Sequence, residues 1–291
     1  MWNKRGLISV HIAVFLLGSA SLFAALIPMS ALMLTLGRAV FSALSLYIYI
    51  HFLNLSLRLN RFQDYLWNLL AGVFLTGHWF FFVMAVQVST VSIGTLSFAT
   101  YPLFVMFLEP YFFKEKIKYK NLAALVLVVA GIGFLIPAFR LTDSTTLGII
   151  YGLISSFSFA CLSVMNRRLV ALYDSAVVTL YEQLVVAIIM TIVISLMNPY
   201  LGTGTGFDFI CLIVYGVIFT ALAHTLYVRG LKHIKVQTAS VISVLEPAYS
   251  IILAMIFLGE RLSWQEVIGI ALIFIAVSLV TREEVQDEVS S

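Results

Sequence analysis

Ten apolar runs of 18–23 residues fill almost the whole chain: residues 7–27, 31–53, 65–86, 91–113, 121–138, 147–166, 175–197, 207–228, 236–258 and 264–281. A helix rising 1.5 Å per residue needs about 20 apolar residues to cross the hydrocarbon core of a bilayer. The core offers no water to backbone donors and acceptors, so a run of that length must satisfy them as a helix. The reading is an all-α membrane protein with ten transmembrane helices, spans 1 to 10. The composition agrees, with 62% hydrophobic and only 11% charged residues, where a soluble domain carries about 25% charge. The run after Lys4 and Arg5 is longer than the about 7–15 residues of a signal-peptide core, and Ile27-Pro28 is no cleavage site, so it reads as an uncleaved first span.

The connections are short, so neighbouring spans are expected to be antiparallel. Lysine and arginine collect on the cytoplasmic side of a membrane protein. With the N-terminus inside, fourteen basic residues fall inside and two, Arg140 and Arg261, outside, leaving Arg38 within span 2. Both termini are therefore expected in the cytoplasm, as in a bacterial inner-membrane protein. The basic residues sit in short loops, which argues against nucleic acid as a partner. Cys161 and Cys211 fall in apolar segments and read as packing residues, with neither a disulfide nor a metal site implied. The loop "GTGTG" at Gly202–Gly206 lacks the lysine and the strand–helix setting of a phosphate loop and reads as a flexible connection. No cofactor or nucleotide-binding motif stands out.

The chain also repeats itself. "YPLFVMFLEPYFFKEKI" from Tyr101 resembles "EPAYSIILAMIFLGERL" from Glu246, with Pro102 on Pro247, Glu115 on Glu260 and Lys116 on Arg261, each 145 residues apart. Upstream, "TLGR" ending at Arg38 matches "TLYE" ending at Glu182. Residues 1–141 and 142–283 thus read as two five-helix units, with residues 284–291 an acidic, disordered tail. Five is odd, so the second unit lies inverted in the membrane, a design of many secondary transporters.

Ten helices, the five-plus-five repeat and a Pro-x12-Glu pattern closing span 4 and span 9 resemble the drug/metabolite transporter superfamily, and within it the EamA-type transporters. The resemblance covers nearly the whole chain. It implies that spans 1–4 and 6–9 surround a central cavity with spans 5 and 10 outside it. It also implies carriage of small metabolites, often as amino-acid export. One departure is Ala25 in "SLFAALIP", where many relatives carry a basic residue near the end of span 1.

Ionisable groups inside a membrane are costly, at least about 2.5–3.5 kcal/mol when unpaired, and mark functional positions. The candidates are His11, Arg38, His78, Glu109, Glu182, His224 and Glu246. Arg38 shares a helical face with Thr35, Ser42, Ser45 and Tyr49, as expected of a helix lining water. Its planar fork suits a carboxylate; Glu182, the repeat mate, is the alternative partner in a structural pair. Glu246 lies at mid-span beside Pro247, with Ser243 and Ser250 on its face. Proline removes a backbone donor and frees a carbonyl near Ser243, which makes sense only if the helix faces a hydrated site. Glu246 is thus the candidate for proton coupling or for gripping an ammonium, with Tyr101 opposite it, and Pro102 and Pro247 are the expected helix breaks. His78, Trp79 and Phe82 in span 3, with His224 and Tyr227 in span 8, suggest an aromatic-lined cavity; ordinary helix packing is the alternative. Glu109 reads as an interfacial charge pair, and Glu115 and Glu260 as structural caps.

The expected function is a secondary transporter of a small polar metabolite, such as an amino acid, with a coupled proton and oligomerisation left open. A passive channel or receptor is the alternative. An intramembrane enzyme lacks the expected signatures: no His-Glu-x-x-His, no Gly-x-Ser-x-Gly and no paired aspartates occur in the spans.

Overall fold

The computed structural model describes residues 4–113 and 143–265 apart from 203 and 244, with 126–127, 130, 267–269, 271–272 and 275 besides. Spans 5 and 10, Arg140, Glu115 and the acidic tail fall wholly or mostly outside the described residues. The described residues are helices and loops, with a single isolated β-bridge between Met29 and Gly202.

Among the described residues eight helices are long and apolar enough to cross a membrane: Arg5–Leu26, Ala31–Phe52, Phe62–Val88, Val91–Phe113, Ser144–Val170, Ser175–Met197, Gly206–Leu231 and Val236–Phe257. They coincide with the expected spans 1–4 and 6–9. Polar residues set their starts. Ser30, Thr90, Asp143 and Asp174 each accept a backbone N–H of the first turn, and Thr205 and Asp208 cap each other reciprocally at the start of span 8. Span 7 ends on Asn198 in the left-handed conformation, φ 42°.

Span 4 is broken into Val91–Phe98 and Tyr101–Phe113, and span 9 into Val236–Ile242 and Leu245–Phe257. Pro102 and Pro247 sit in the first turn of the second pieces, where the missing N–H has no helical acceptor to lose. The expectation that Pro247 strands a carbonyl near Ser243 is corrected, because Glu246 N–H donates to the Ser243 carbonyl at 2.9 Å. Leu103 N–H likewise donates to Thr100 O at 2.9 Å. Span 8 contains a π-helical turn, Val217–Leu222, which the sequence does not announce.

Span 3 packs on span 6, span 2 on span 7, and span 1 on span 8; span 4 lies against span 6 and span 1 against span 9. Small residues allow these approaches. A Cβ at Gly18 would sit 2.9 Å from the Glu246 carbonyl, and one at Gly148 or Gly152 would strike Ser89 or Ser97. The GxxxG pair therefore seats span 6 on the end of span 3 and on span 4. The first glycine of the expected flexible loop is held rather than loose: Gly202 bridges Met29, and Ser30 N–H donates to Leu201 O at 3.0 Å. Phe15, Leu44, Ile48, Ile188 and Ile192 are exposed, as suits a lipid-facing surface. Charged and polar side chains turn inward instead: Arg38, Asn68, Glu109, Asn166, Glu182, Gln183 and Glu246 are all buried.

Candidate functional site

Arg38, 3% exposed, is held by span 8. Its Nε donates to Thr220 Oγ1 at 3.0 Å and its Nη1 to Tyr215 Oη at 2.8 Å. The guanidinium lies between two rings, 3.9 Å from the Trp79 centroid and 4.4 Å from that of Tyr215, an arrangement that stabilises a cation by about 2 kcal/mol or more per ring when desolvated. Gly216 permits the approach, since a Cβ there would press on Phe41 and the Arg38 backbone. Thr220 belongs to the π-helical turn, so the irregular segment of span 8 aims one of the two acceptors.

The expected pair between Arg38 and Glu182 does not form. Glu182 instead meets His224 Nε2 at 2.8 Å, both side chains being almost fully buried. His224 packs edge-on against Trp79, at 6.1 Å between centroids, so one indole separates the His–Glu pair from the arginine. The reason is geometric: Tyr215 and Thr220 reach Arg38 from span 8, while span 7 offers its carboxylate to the next turn of that same span.

Most other candidate residues join the same interior, but His11 is exposed on span 1 and takes no part in it. Tyr101 Oη and Tyr227 Oη are 3.2 Å apart, and Ser163 Oγ lies 3.4 Å from Tyr227 Oη. Phe98 stacks on Tyr101, and Phe159 touches His78, Phe98, Tyr101 and Tyr227. His78 Nδ1 lies 2.8 Å from Ser155 Oγ and its ring 6.1 Å from that of Phe82. Glu246 is 6% exposed and within electrostatic range of Arg38, Tyr101, Tyr215 and Tyr227. Among the described residues neither Arg38 nor Glu246 has an oppositely charged partner within ion-pair distance.

Several interior polar atoms have no hydrogen-bond partner: the side chains of Thr35, Ser42, Asn68, Asn166, Thr179 and Gln183, and one oxygen of Glu182. Each such atom costs about 1–3 kcal/mol if it stays unmet, so these positions favour water or a polar solute. Thr35, Ser42 and Glu182 were already read from the sequence; Asn68, Asn166, Thr179 and Gln183, with Tyr215 and Thr220, are the residues that sequence reasoning missed. A polar residue in an apolar run was the available signal for Asn68, Asn166 and Gln183. Among the described residues no group of three or more His, Cys, Asp or Glu is disposed to hold a metal.

Two carboxylates clasp span 4 to span 9 at opposite ends. Glu109, at the end of span 4 and fully buried, accepts Val236 N–H at 3.1 Å and Gln237 N–H at 2.9 Å, and pairs with Arg167 at the end of span 6. Glu260, just after span 9, accepts Val91 N–H at 2.9 Å, Ser92 N–H at 3.2 Å and Ser92 Oγ–H at 2.7 Å. Val91 and Ser92 stand 145 residues before Val236 and Gln237. Each carboxylate thus sits on the N-terminal N–H groups of a helix, where the backbone dipole favours negative charge.

The EamA-like transporter family matches the chain twice, over residues 4–136 and again over 146–282. The "Uncharacterized transporter YxxF" of Bacillus subtilis is 23% identical over 228 residues, covering 76% of this chain and 72% of that one. An "Uncharacterized transporter" of Archaeoglobus fulgidus is 26% identical over 202 residues, covering 69% and 71%. A solved crystal structure superposes with a TM-score of 0.73 over 97% of this chain and 98% of that one, at 18% identity, a likeness of fold alone.

Proposed function

The chain belongs to the EamA-like transporter family of the drug/metabolite transporter superfamily, and we propose that it exports a small zwitterionic solute, an amino acid or close relative, across a bacterial inner membrane. The observation that carries this reading is that Arg38 and Glu246, ionisable groups of opposite type, are both buried and form no ion pair with each other or with another described residue. A buried charge without a counter-ion costs several kcal/mol, which the two hydroxyls and two rings on Arg38 offset only in part. A solute bearing both a carboxylate and an ammonium would meet both needs at once, with Arg38 taking the carboxylate and Glu246 the ammonium. The phenols of Tyr101 and Tyr227 and the partnerless amides would hydrogen-bond the remainder.

Transport then follows from the two clasps. The architecture reads as ten spans in two inverted units, residues 1–141 and 142–283, with both termini in the cytoplasm. Two features support the inversion. Spans 1 and 8 pair as spans 6 and 3 do, and spans 1 and 9 as spans 6 and 4 do. The two capped helix starts are related by the same 145-residue shift as the motifs. Spans 1–4 would rock against spans 6–9, with the Glu109 clasp opening toward the cytoplasm and the Glu260 clasp toward the outside. Both are closed here and Arg38 and Glu246 are covered, which is the occluded form expected between the two openings. A proton on Glu246 would release the ammonium and couple transport to the pH gradient.

The test is uptake of labelled amino acids into proteoliposomes, with solute-for-solute exchange measured alongside. Glu246→Gln is expected to abolish accumulation driven by a pH gradient, and to weaken solute binding by about 2–5 kcal/mol if the ammonium is its ligand. Unchanged gradient-driven uptake and unchanged binding in this variant would make Glu246 structural and refute the mechanism.

A further inference from the structure

A cavity of about 530 Å³ lies outside the central cluster, between spans 2 and 8, with the start of span 7 beneath it. One wall is the π-helical turn, with Val217 and Ala221 lining it and Leu222 at its exposed edge. Its rim carries Arg229, Lys232 and His233, with Asp174 opposite them. Asp174 Oδ1 is already occupied, accepting Ala176 N–H at 2.8 Å as the cap of span 7. Arg229 and Lys232 are exposed and make no ion pair among the described residues. Thr225, also on the lining, has a buried Oγ1 without a partner.

The cavity therefore joins the bases Arg229 and Lys232 to an aliphatic stretch, Leu46, Val217, Ala221, Leu222 and Leu226, interrupted by the hydroxyls of Ser45, Ser175 and Thr225. Its lips, Tyr49 and Leu222, are half-exposed on a surface of lipid-facing side chains. An inorganic anion would be matched by the bases alone and would leave the aliphatic stretch bare. A two-part molecule, anionic at one end and hydrocarbon at the other, matches both. We infer that this cavity is a binding site for an anionic phospholipid of the cytoplasmic leaflet, its phosphate on Arg229 and Lys232 and its upper acyl chain along Val217, Ala221 and Leu222. The assignment rests on the orientation proposed above, which puts these bases at the cytoplasmic leaflet, where basic pockets between helices hold acidic headgroups. π-helical turns are rare and concentrate at functional positions. This one presents its outer side to the cavity and Thr220 to Arg38, so the lipid presses on the segment that positions the solute-binding guanidinium.

The test is native mass spectrometry of the full chain with added phosphatidylglycerol or phosphatidylcholine and no solute, so its outcome does not depend on whether the transport reading is right. Phosphatidylglycerol should be retained in preference to phosphatidylcholine. Arg229→Gln and Lys232→Gln should each weaken its retention about fivefold. Leu222→Trp, which fills the mouth without touching charge, should also expel it. Arg58→Gln, a basic residue away from the cavity, should leave retention unchanged, and inorganic phosphate should not displace the lipid. Equal retention of the two lipids, wild-type retention in the Arg229 and Lys232 variants, loss in Arg58→Gln to the same degree, or displacement by inorganic phosphate would each overturn the assignment.

Discussion

The clasps at the two ends of spans 4 and 9 do the same task with unequal means. The Glu109 clasp is fully buried, holds two backbone N–H groups and is neutralised by Arg167, whose guanidinium also lies 4.4 Å above the Phe113 ring. The Glu260 clasp holds two backbone N–H groups and a hydroxyl, has no cation on it among the described residues, and is only half-buried. They lie about 27 Å apart along span 4, at 1.5 Å per residue. A buried ionic clasp is harder to open than a half-hydrated one, because one of its partners cannot be removed without stranding the other. The difference implies a resting protein that opens more readily at the Glu260 end.

The largest effect should come from the ionic clasp. Glu109→Gln leaves Arg167 without its carboxylate and weakens both backbone bonds, for an expected loss of about 3–5 kcal/mol. Spin-label distances between the Phe113 end of span 4 and the Val236 end of span 9 should then shift to an open population; an unaltered distribution would remove the clasp from the proposed mechanism. Next in size is Glu260→Gln, expected to cost about 1.5–3 kcal/mol, the range for hydrogen bonds to a charged group. It should open the other end, read by thiol labelling near Val91 from the membrane face opposite the Glu109 clasp. Equal labelling in wild type and variant would contradict the asymmetry. Smallest is Ser92→Ala, which deletes only the hydroxyl bond, at about 0.5–1.5 kcal/mol. It should move the same labelling rate in the same direction. The Glu109 and Glu260 effects should add to within about 0.5 kcal/mol, as for distant sites; strong non-additivity in the double variant would mean that the two ends open together rather than in turn.

The bilayer explains how much was legible. Hydrocarbon forces every spanning segment into a helix of fixed minimum length, so spans 1–4 and 6–9 could be read from apolar runs, and both helix breaks from Pro102 and Pro247. The interior residues were legible as polar groups in apolar surroundings, and Arg38, Tyr101, Tyr227 and Glu246 do gather in the interior. Their partners were not. Pairing Arg38 with Glu182 by repeat symmetry failed because symmetry relates positions and does not make them touch; the contacts come from the crossing of spans 2, 7 and 8. Tyr215 looked like any aromatic residue of a membrane helix, and Thr220 gave no sign of the π-helical turn that aims it. Glu109 was read as an interfacial charge pair and does pair with Arg167, but it also caps span 9, a role visible only once the ends of spans 4, 6 and 9 are brought together.

The central claim is that Arg38 and Glu246 hold the two charged ends of one solute. The most direct measurement is calorimetric binding of an amino acid found in a thermal-shift screen, compared with its carboxylate-free and amine-free analogues, on wild type, Arg38→Gln and Glu246→Gln. The account predicts that the carboxylate-free analogue binds much more weakly than the amino acid to wild type but about equally well to Arg38→Gln. The amine-free analogue should behave in the same way with Glu246→Gln. Discrimination between the amino acid and its analogues that is identical in all three proteins would contradict it.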